Sequence, residues 1–237
     1  MKILCVLFPH FPYWCEVQNN PAVKSGPVVI MYDTAVRGVP KAEGQKLVLD
    51  ASPELSGLKR DMTLQQALAI DGQVALIKAD VPRYWSIFNG LLDILEEKSP
   101  LVEGTELGCA YLGLDGLETI YRSDDILAAR VQEAIPAAFP IRMGIAGGKF
   151  PAYLAALNSR NDGCRKFTGD TFFKDMSCDV LPISAKSKER LHDFGIDTLG
   201  QAASFPIGPI QAQFGPEGKT IYELARGRDA TPLALRR

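Results

Sequence analysis

The sequence predicts an α+β fold: a mixed sheet with helices, followed by an all-helical C-terminal unit. Three observations predict it. Short continuous apolar runs bounded by proline or turn residues recur in the first two thirds of the chain, as buried strands require. Segments with apolar residues at helical spacing alternate with them through the middle. After about Lys166 the texture changes to short helices punctuated by glycine, ending at Gly227.

The first strand is Ile3 to Phe8, closed by Pro9. Pro27 to Tyr32 (PVVIMY) is a second and Lys46 to Leu49 a third. Asp61 to Ile70 has helical spacing, with Leu64, Ala67 and Leu68 on one face and Asp61 or Thr63 as N-cap. Val81 to Lys98 is the clearest helix: Pro82 suits a first turn, and Trp85, Phe88, Leu91, Leu92 and Leu95 form an apolar stripe. Leu107 to Leu114 reads as a strand ended by the Asp115-Gly116 turn. Asp124 to Phe139 is helical, and Arg142 to Ala146 is a strand running into Gly147-Gly148. A helix then starts near Lys149 or Phe150 and reaches about Asn158. Four short helices follow, at Ser184 to Asp193, Leu199 to Ala203, Pro206 to Phe214 and Gly218 to Ala225.

The bulk numbers exclude more than they assign. With 237 residues, 46% hydrophobic and 23% charged, the chain can bury a substantial core. A formal net charge of −2 argues against a protein held on nucleic acid by charge alone. Pro182 to Arg237 carries only a mild basic excess, eight basic against six acidic residues. The five cysteines show no CxxC spacing, and His10 and His192 complete no metal set. An odd count of cysteines without a secretion signal points to reduced thiols in a cytoplasm. The apolar N-terminal run is too short to span a membrane, so no membrane partner is expected.

A few constellations carry chemistry in two readings each. Gly144-Ile145-Ala146-Gly147-Gly148-Lys149 either offers backbone N–H groups and an amine to a phosphate or is a plain strand-to-helix turn. Phe194-Gly195-Ile196-Asp197, with Phe214-Gly215-Pro216-Glu217-Gly218 as a second instance, either grips a DNA phosphate or is an ordinary helical hairpin. Phe8, Phe11, Tyr13 and Trp14 form a base-stacking platform or pack a core.

Taken together, these segments resemble the motifs of Y-family (UmuC/DinB-like) translesion DNA polymerases. Val102-Glu103 and Glu106 to Gly113 (ELGCAYLG) are similar to VE…SIDEAYLD, and Leu7 to Glu16 (LFPHFPYWCE) resembles DMDAFFASVE. Ala51 to Met62 is similar to YEARKFGVKRGM, and Gly144 to Ala155 to GIAxNKxLAKxA. FGIDTLGQAASFP and FGPEGKTIYELARG resemble the helix-hairpin-helix thumb, with Ile183-Ser184-Ala185 at its GIG hairpin. Among such proteins the strings are most similar to the ImuB-like branch, which lacks the catalytic acids.

The resemblance implies a palm over 1–10 and 75–165, fingers over 11–74, and a helix-hairpin-helix thumb over 166–237. No little finger follows before the chain ends at Arg237. Nucleotidyl transfer in this family uses two divalent cations held by carboxylates at strand ends. The matched positions hold Leu7, Gly108 and Cys109, with Gly113 at the last Asp of the motif. Positions that touch the triphosphate in the family hold Ala51, Glu54 and Tyr153, while Lys149 keeps one lysine as a nucleotide-binding candidate. These losses predict a non-catalytic scaffold of translesion repair that is not an enzyme and needs no cofactor, Mg²⁺ being expected only for active relatives. It would bind primer–template DNA without sequence preference through Lys186, Lys188, Arg190 and Lys219. The implied protein partners are a sliding clamp, a recombinase-like accessory protein and an error-prone polymerase subunit. One alternative is an active DNA-directed DNA polymerase using substitute acids such as Glu103, Glu106 or Asp115; the other is a protein-interaction module without DNA affinity.

Overall fold

The computed structural model describes residues 1–33, 46–167 and 171–236. Arg237, counted in the basic excess, lies outside them. Five strands form the larger sheet in the order β5-β6-β1-β7-β8. These are β1 (Ile3–Leu7), β5 (Val102–Glu106), β6 (Cys109–Gly113), β7 (Arg142–Ala146) and β8 (Gly163–Lys166). β1 runs antiparallel to both neighbours, and β7 and β8 are parallel, so the sheet is mixed. A smaller sheet has the order β3-β2-β4, from β2 (Val28–Asp33), β3 (Lys46–Ala51) and β4 (Ala75–Lys78).

The period of two along β1 divides its side chains between two cores. Leu4 and Val6 join Ala110, Leu112, Met143 and Ile145 in the main core. There they meet α3 (Val81–Glu96), through Tyr84, Phe88 and Leu92, and α5 (Asp124–Ala134), through Leu127 and Val131. Asp80 caps α3 by accepting the Arg83 N–H at 3.2 Å. Ile3, Cys5 and Leu7 face the other way, with Cys109 and Tyr111, beneath α6 (Lys149–Leu157). α6 approaches β7 so closely that a Cβ on Gly144 would lie 2.2 Å from both the Ala152 carbonyl oxygen and the Ala156 nitrogen. Glycine is required there by space.

The helical end holds α7 (Ala185–Asp193), α8 (Leu199–Ser204), α9 (Ile207–Phe214) and α10 (Pro216–Leu224). They enclose their own core around Leu181, Leu191, Leu199, Ile210 and Ile221, which Phe150 and Leu154 of α6 extend toward the palm-side sheet. Capping boxes start α2 (Leu64–Ile70) at Thr63 and α8 at Thr198.

Several elements differ from expectation. Phe11–Asn19 is a helix, α1, because Pro12 sits in its first turn, where the missing N–H is not needed. The expected helix 124–139 stops at Ala134, before Pro136. The expected strand 107–114 is the second arm of a hairpin: Gly108, at φ 83, makes the turn between β5 and β6. Glu106 therefore ends β5. No described helix is long and apolar enough to cross a membrane.

Candidate active-site cleft

β1 and β6 bring together the positions matched to the acids of the motifs. Leu7 is directly opposite Cys109, and the Phe8 N–H donates to the Gly108 carbonyl at 2.8 Å. Leu7, Phe8 and Cys109 are all buried. A Cβ on Gly108 would lie 2.9 Å from the Phe8 carbonyl oxygen, and its φ of 83 disfavours any side chain. Burial beside these groups pushes the Cys5 thiol and the Tyr111 and Tyr153 phenols up, so all three stay protonated at neutral pH.

Of the three substitute acids, only Glu106 reaches this place with an open carboxylate. It pairs with Cys109 across the β5–β6 hairpin, is 59% exposed, and has the Arg60 guanidinium at 3.7 Å. Glu103 is committed elsewhere: both its oxygens lie 3.0 Å from the Lys149 amine, the two side chains being 13% and 14% exposed. Asp115 is at the opposite end of the sheet, accepting the Lys2 N–H at 2.9 Å.

A cleft of about 940 Å³ opens between the five-stranded sheet and the helical end. Glu106, Tyr111, Lys149 and Tyr153 line one wall; Lys188, Lys219 and Arg228 line the other. The four basic candidates of the helical end thus divide. Lys188 and Lys219 face the cleft, whereas Lys186 and Arg190 are not among its lining residues. Arg190 stacks on Phe194 and Phe214 and donates to Gln213 at 2.9 Å. The α7 start is already occupied. The Glu217 carboxylate accepts the Ser184 N–H and hydroxyl, each at 2.8 Å, and the Ser187 hydroxyl, which holds Glu217 below the usual carboxylate range. The aromatic cluster is packing: Phe8 and Phe11 meet Phe88 edge-on inside the core.

Ala51 is buried at the end of β3, and Glu54 is exposed. One contact here was invisible to sequence spacing. His10, left-handed at φ 53, has Nδ1 3.1 Å from one Asp50 oxygen, while the other accepts the Tyr13 N–H at 3.0 Å. The Asp50 contact raises the His10 pKa above its ordinary value. This pair joins the end of β1 to the small sheet.

A mixed sheet whose strand ends face a helical unit across a cleft matches the palm of a Y-family polymerase. The insertion ternary complex of Dbh DNA polymerase superposes with a TM-score of 0.78 at 21% identity, covering 98% of this chain and 69% of that one. The chain belongs to the impB/mucB/samB family, whose model matches residues 6–156. A relative in Dehalococcoides mccartyi (strain CBDB1), "DNA polymerase IV", is 27% identical over 226 residues, 93% of this chain and 56% of its own length. Another "DNA polymerase IV", from Pelotomaculum thermopropionicum, is 24% identical over 224 residues, 90% of this chain and 54% of its own. The chain spans about half the length of the curated relatives it matches.

These relatives overturn the expectation of a non-catalytic scaffold that is no enzyme and needs no cofactor. They carry the name of a polymerase, and for active polymerases the resemblance itself implies Mg²⁺. The active polymerase with a substitute acid, the alternative to that expectation, is the reading these names favour, and Glu106 stands across the hairpin from Cys109. The fit to Mg²⁺ is nevertheless poor. That ion demands near-octahedral oxygen coordination. Leu7 and Gly108 offer no side-chain donor and Cys109 a buried thiol. Among the described residues no group of three or more His, Cys, Asp or Glu gathers closely enough to hold a metal.

Proposed function

We propose that the chain forms the palm, fingers and thumb of a template-directed DNA polymerase of the translesion type, with primer–template DNA lying in the cleft. The observation that carries this reading is the match over nine tenths of the chain to proteins named DNA polymerase IV. In it the five-stranded sheet is the palm, the small sheet the fingers, and 166–237 the thumb; β4 (Ala75–Lys78), counted with the palm by the bounds 11–74 and 75–165, pairs in the small sheet. Lys188, Lys219, Arg228 and Lys149 present cations to phosphates from both walls, an interaction that positions a duplex without reading its bases. The exposed carboxylate of Glu106 is the acid available to the reacting end of the primer. Its carboxylate pairs with Arg60, so a residue of the small sheet's side closes over the same point.

Primer extension by the purified chain, with all four deoxynucleoside triphosphates and Mg²⁺ or Mn²⁺, tests the reading. Extension is expected, reduced at least tenfold in Glu106→Gln. Absence of extension with either ion refutes the polymerase assignment, and full activity in Glu106→Gln removes Glu106 from it.

A further inference from the structure

After α10 the chain turns at Gly227, and residues 228–236 return across the palm without regular structure. This strap is fastened along its length. The Asp229 carboxylate accepts the Phe150 N–H at 2.8 Å, in the first turn of α6, and the Thr231 N–H at 2.9 Å. Leu233 packs into the core beneath α6. The Ala234 N–H donates to Glu103 Oε2 at 2.7 Å. Arg236 reaches α3, donating to Asp93 at 2.6 Å and to the Asn89 carbonyl at 3.3 Å. The strap thus ties the helical end to both layers of the palm.

Glu103 is the shared node of this arrangement. Its carboxylate holds Lys149 with both oxygens and the strap amide with one. It also lies between two spaces. Lys149, its partner, lines the main cleft, while Glu103 itself lines a groove of about 410 Å³ that Ala234, Leu235 and Arg236 cover. The carboxylate is only 13% exposed and has the Lys149 amine as its facing cation. If Lys149 turns to an anion in the cleft, Glu103 loses that cation. It must then move toward water, and the Ala234 N–H loses its acceptor.

We propose that Glu103 is a latch: it fastens the strap while Lys149 is its partner, and a phosphoryl group bound by Lys149 releases residues 229–236 from the palm. The coupling is reciprocal, so a released strap raises phosphate affinity in the cleft by the same factor. The phosphoryl group is that of a DNA backbone or of a free polyphosphate. That identification deepens the polymerase reading, whereas the latch itself is a property of the chain alone. Freeing the strap would let the helical end shift against the sheet as a bound duplex advances.

Hydrogen exchange followed by mass spectrometry on the whole chain decides the matter, with inorganic pyrophosphate and a short DNA duplex as separate probes. In the unmodified protein, either probe should speed exchange in the peptide containing Thr231 and Ala234 about tenfold, the scale of one lost charge-assisted hydrogen bond. Lys149→Met should give that faster exchange without any probe and should abolish the response to both. Arg236→Ala should loosen the strap's end yet leave the response intact. Release by the duplex alone assigns the anion to DNA, and release by both assigns it to any phosphate. Binding seen at the α6 peptide with strap exchange unchanged or slowed overturns the latch. So does a folded Lys149→Met protein whose strap exchanges at the original rate. If neither probe binds, the polymerase reading fails, and Lys149→Met still decides the latch.

Discussion

Gly144→Ala tests how the cleft wall is positioned. The added methyl would sit 2.2 Å from the Ala152 carbonyl oxygen and the Ala156 nitrogen, and 2.7 Å from the Ala155 carbonyl carbon. All of these are backbone atoms, so no side chain can swing aside. Relief requires α6 to withdraw by roughly 1.5 Å, the difference between this approach and an ordinary contact. Ala152, Ala155 and Ala156 are completely buried, so withdrawal opens a gap along their whole contact with the sheet. Overpacking of this kind costs about 1–3 kcal/mol, and the rigidity of both partners argues for the upper half of that range. In a chain of 237 residues this lowers Tm by roughly 4–12 °C. Because α6 carries Lys149 and Tyr153, affinity for a DNA duplex should fall with it. Urea denaturation followed by circular dichroism, beside a gel-shift titration, measures both. A stability loss below about 0.5 kcal/mol, within the range of an indifferent surface substitution, would refute the close-approach argument.

Three further outcomes are expected. Lys188→Ala and Lys219→Ala should each lower the salt dependence of duplex binding by about one unit of the log–log slope, while Lys186→Ala leaves it unchanged; filter binding over a salt series measures this, and a change for Lys186→Ala equal to the others would refute the division of the basic set. Glu16→Ala strands the Arg83 guanidinium and the buried Tyr84 hydroxyl that share its carboxylate, so it should cost about 3 kcal/mol in urea denaturation, and a loss under about 1 kcal/mol would refute that. His192 bridges Asp179 and Asp197 at 2.9 and 2.7 Å; its pKa is raised above 6.5 by both, and that of Asp179 is lowered by the imidazolium. The histidine's contribution is complete below its unfolded value and lost as pH rises through the raised one; that of Asp179 is present above its unfolded value and lost as pH falls through the lowered one. The helical end should therefore be firmest at mildly acidic pH, and His192→Gln should flatten the alkaline side of a pH series of urea melts; an unchanged profile would refute the bridge.

How much of this was legible in the sequence depended on where each element finds its partners. β1, β2 and α3 announce themselves because burial demands continuous apolar runs or an apolar stripe, and both are local patterns. α1 gives no clear local signal, because Pro9 closes the strand just before it and Pro12 interrupts its start, although a proline in a first turn is well placed. β4 (ALIK) is short, and its pairing is a parallel one with β2, some 47 residues away. The matched positions 7 and 109 do meet in space, as the motifs imply. The pairs His10–Asp50, Arg60–Glu106 and Glu103–Lys149 could not be read, because each joins residues at least 40 apart with no spacing rule between them. The inference from missing acids to missing activity failed for a related reason. The acids Glu103, Glu106 and Asp115 lie off the matched positions, and only the β5–β6 pairing puts one of them, Glu106, opposite Cys109.

β5, which carries no local strand signal, is the junction of the molecule. Val102–Glu106 (VEGTE) lacks apolar alternation because only Val102 faces the core. It is the terminal strand of the larger sheet, beyond β6, where unpaired backbone needs protection. Its polar side chains instead bind the other parts of the chain. Glu103 takes Lys149 of α6 and the strap amide of Ala234, and Glu106 faces Arg60 beyond the small sheet. A register shift between Gly104 and Glu106 alters the strand's alternation between the two glutamates. A Cβ on Gly104 would meet Leu92 at 2.6 Å, so the strand is also pressed onto α3. An apolar strand here would read more clearly and would leave palm, small sheet and helical end without a common anchor. The local rule is broken where the three parts meet, beside the cleft, which is where function most often takes precedence over foldability.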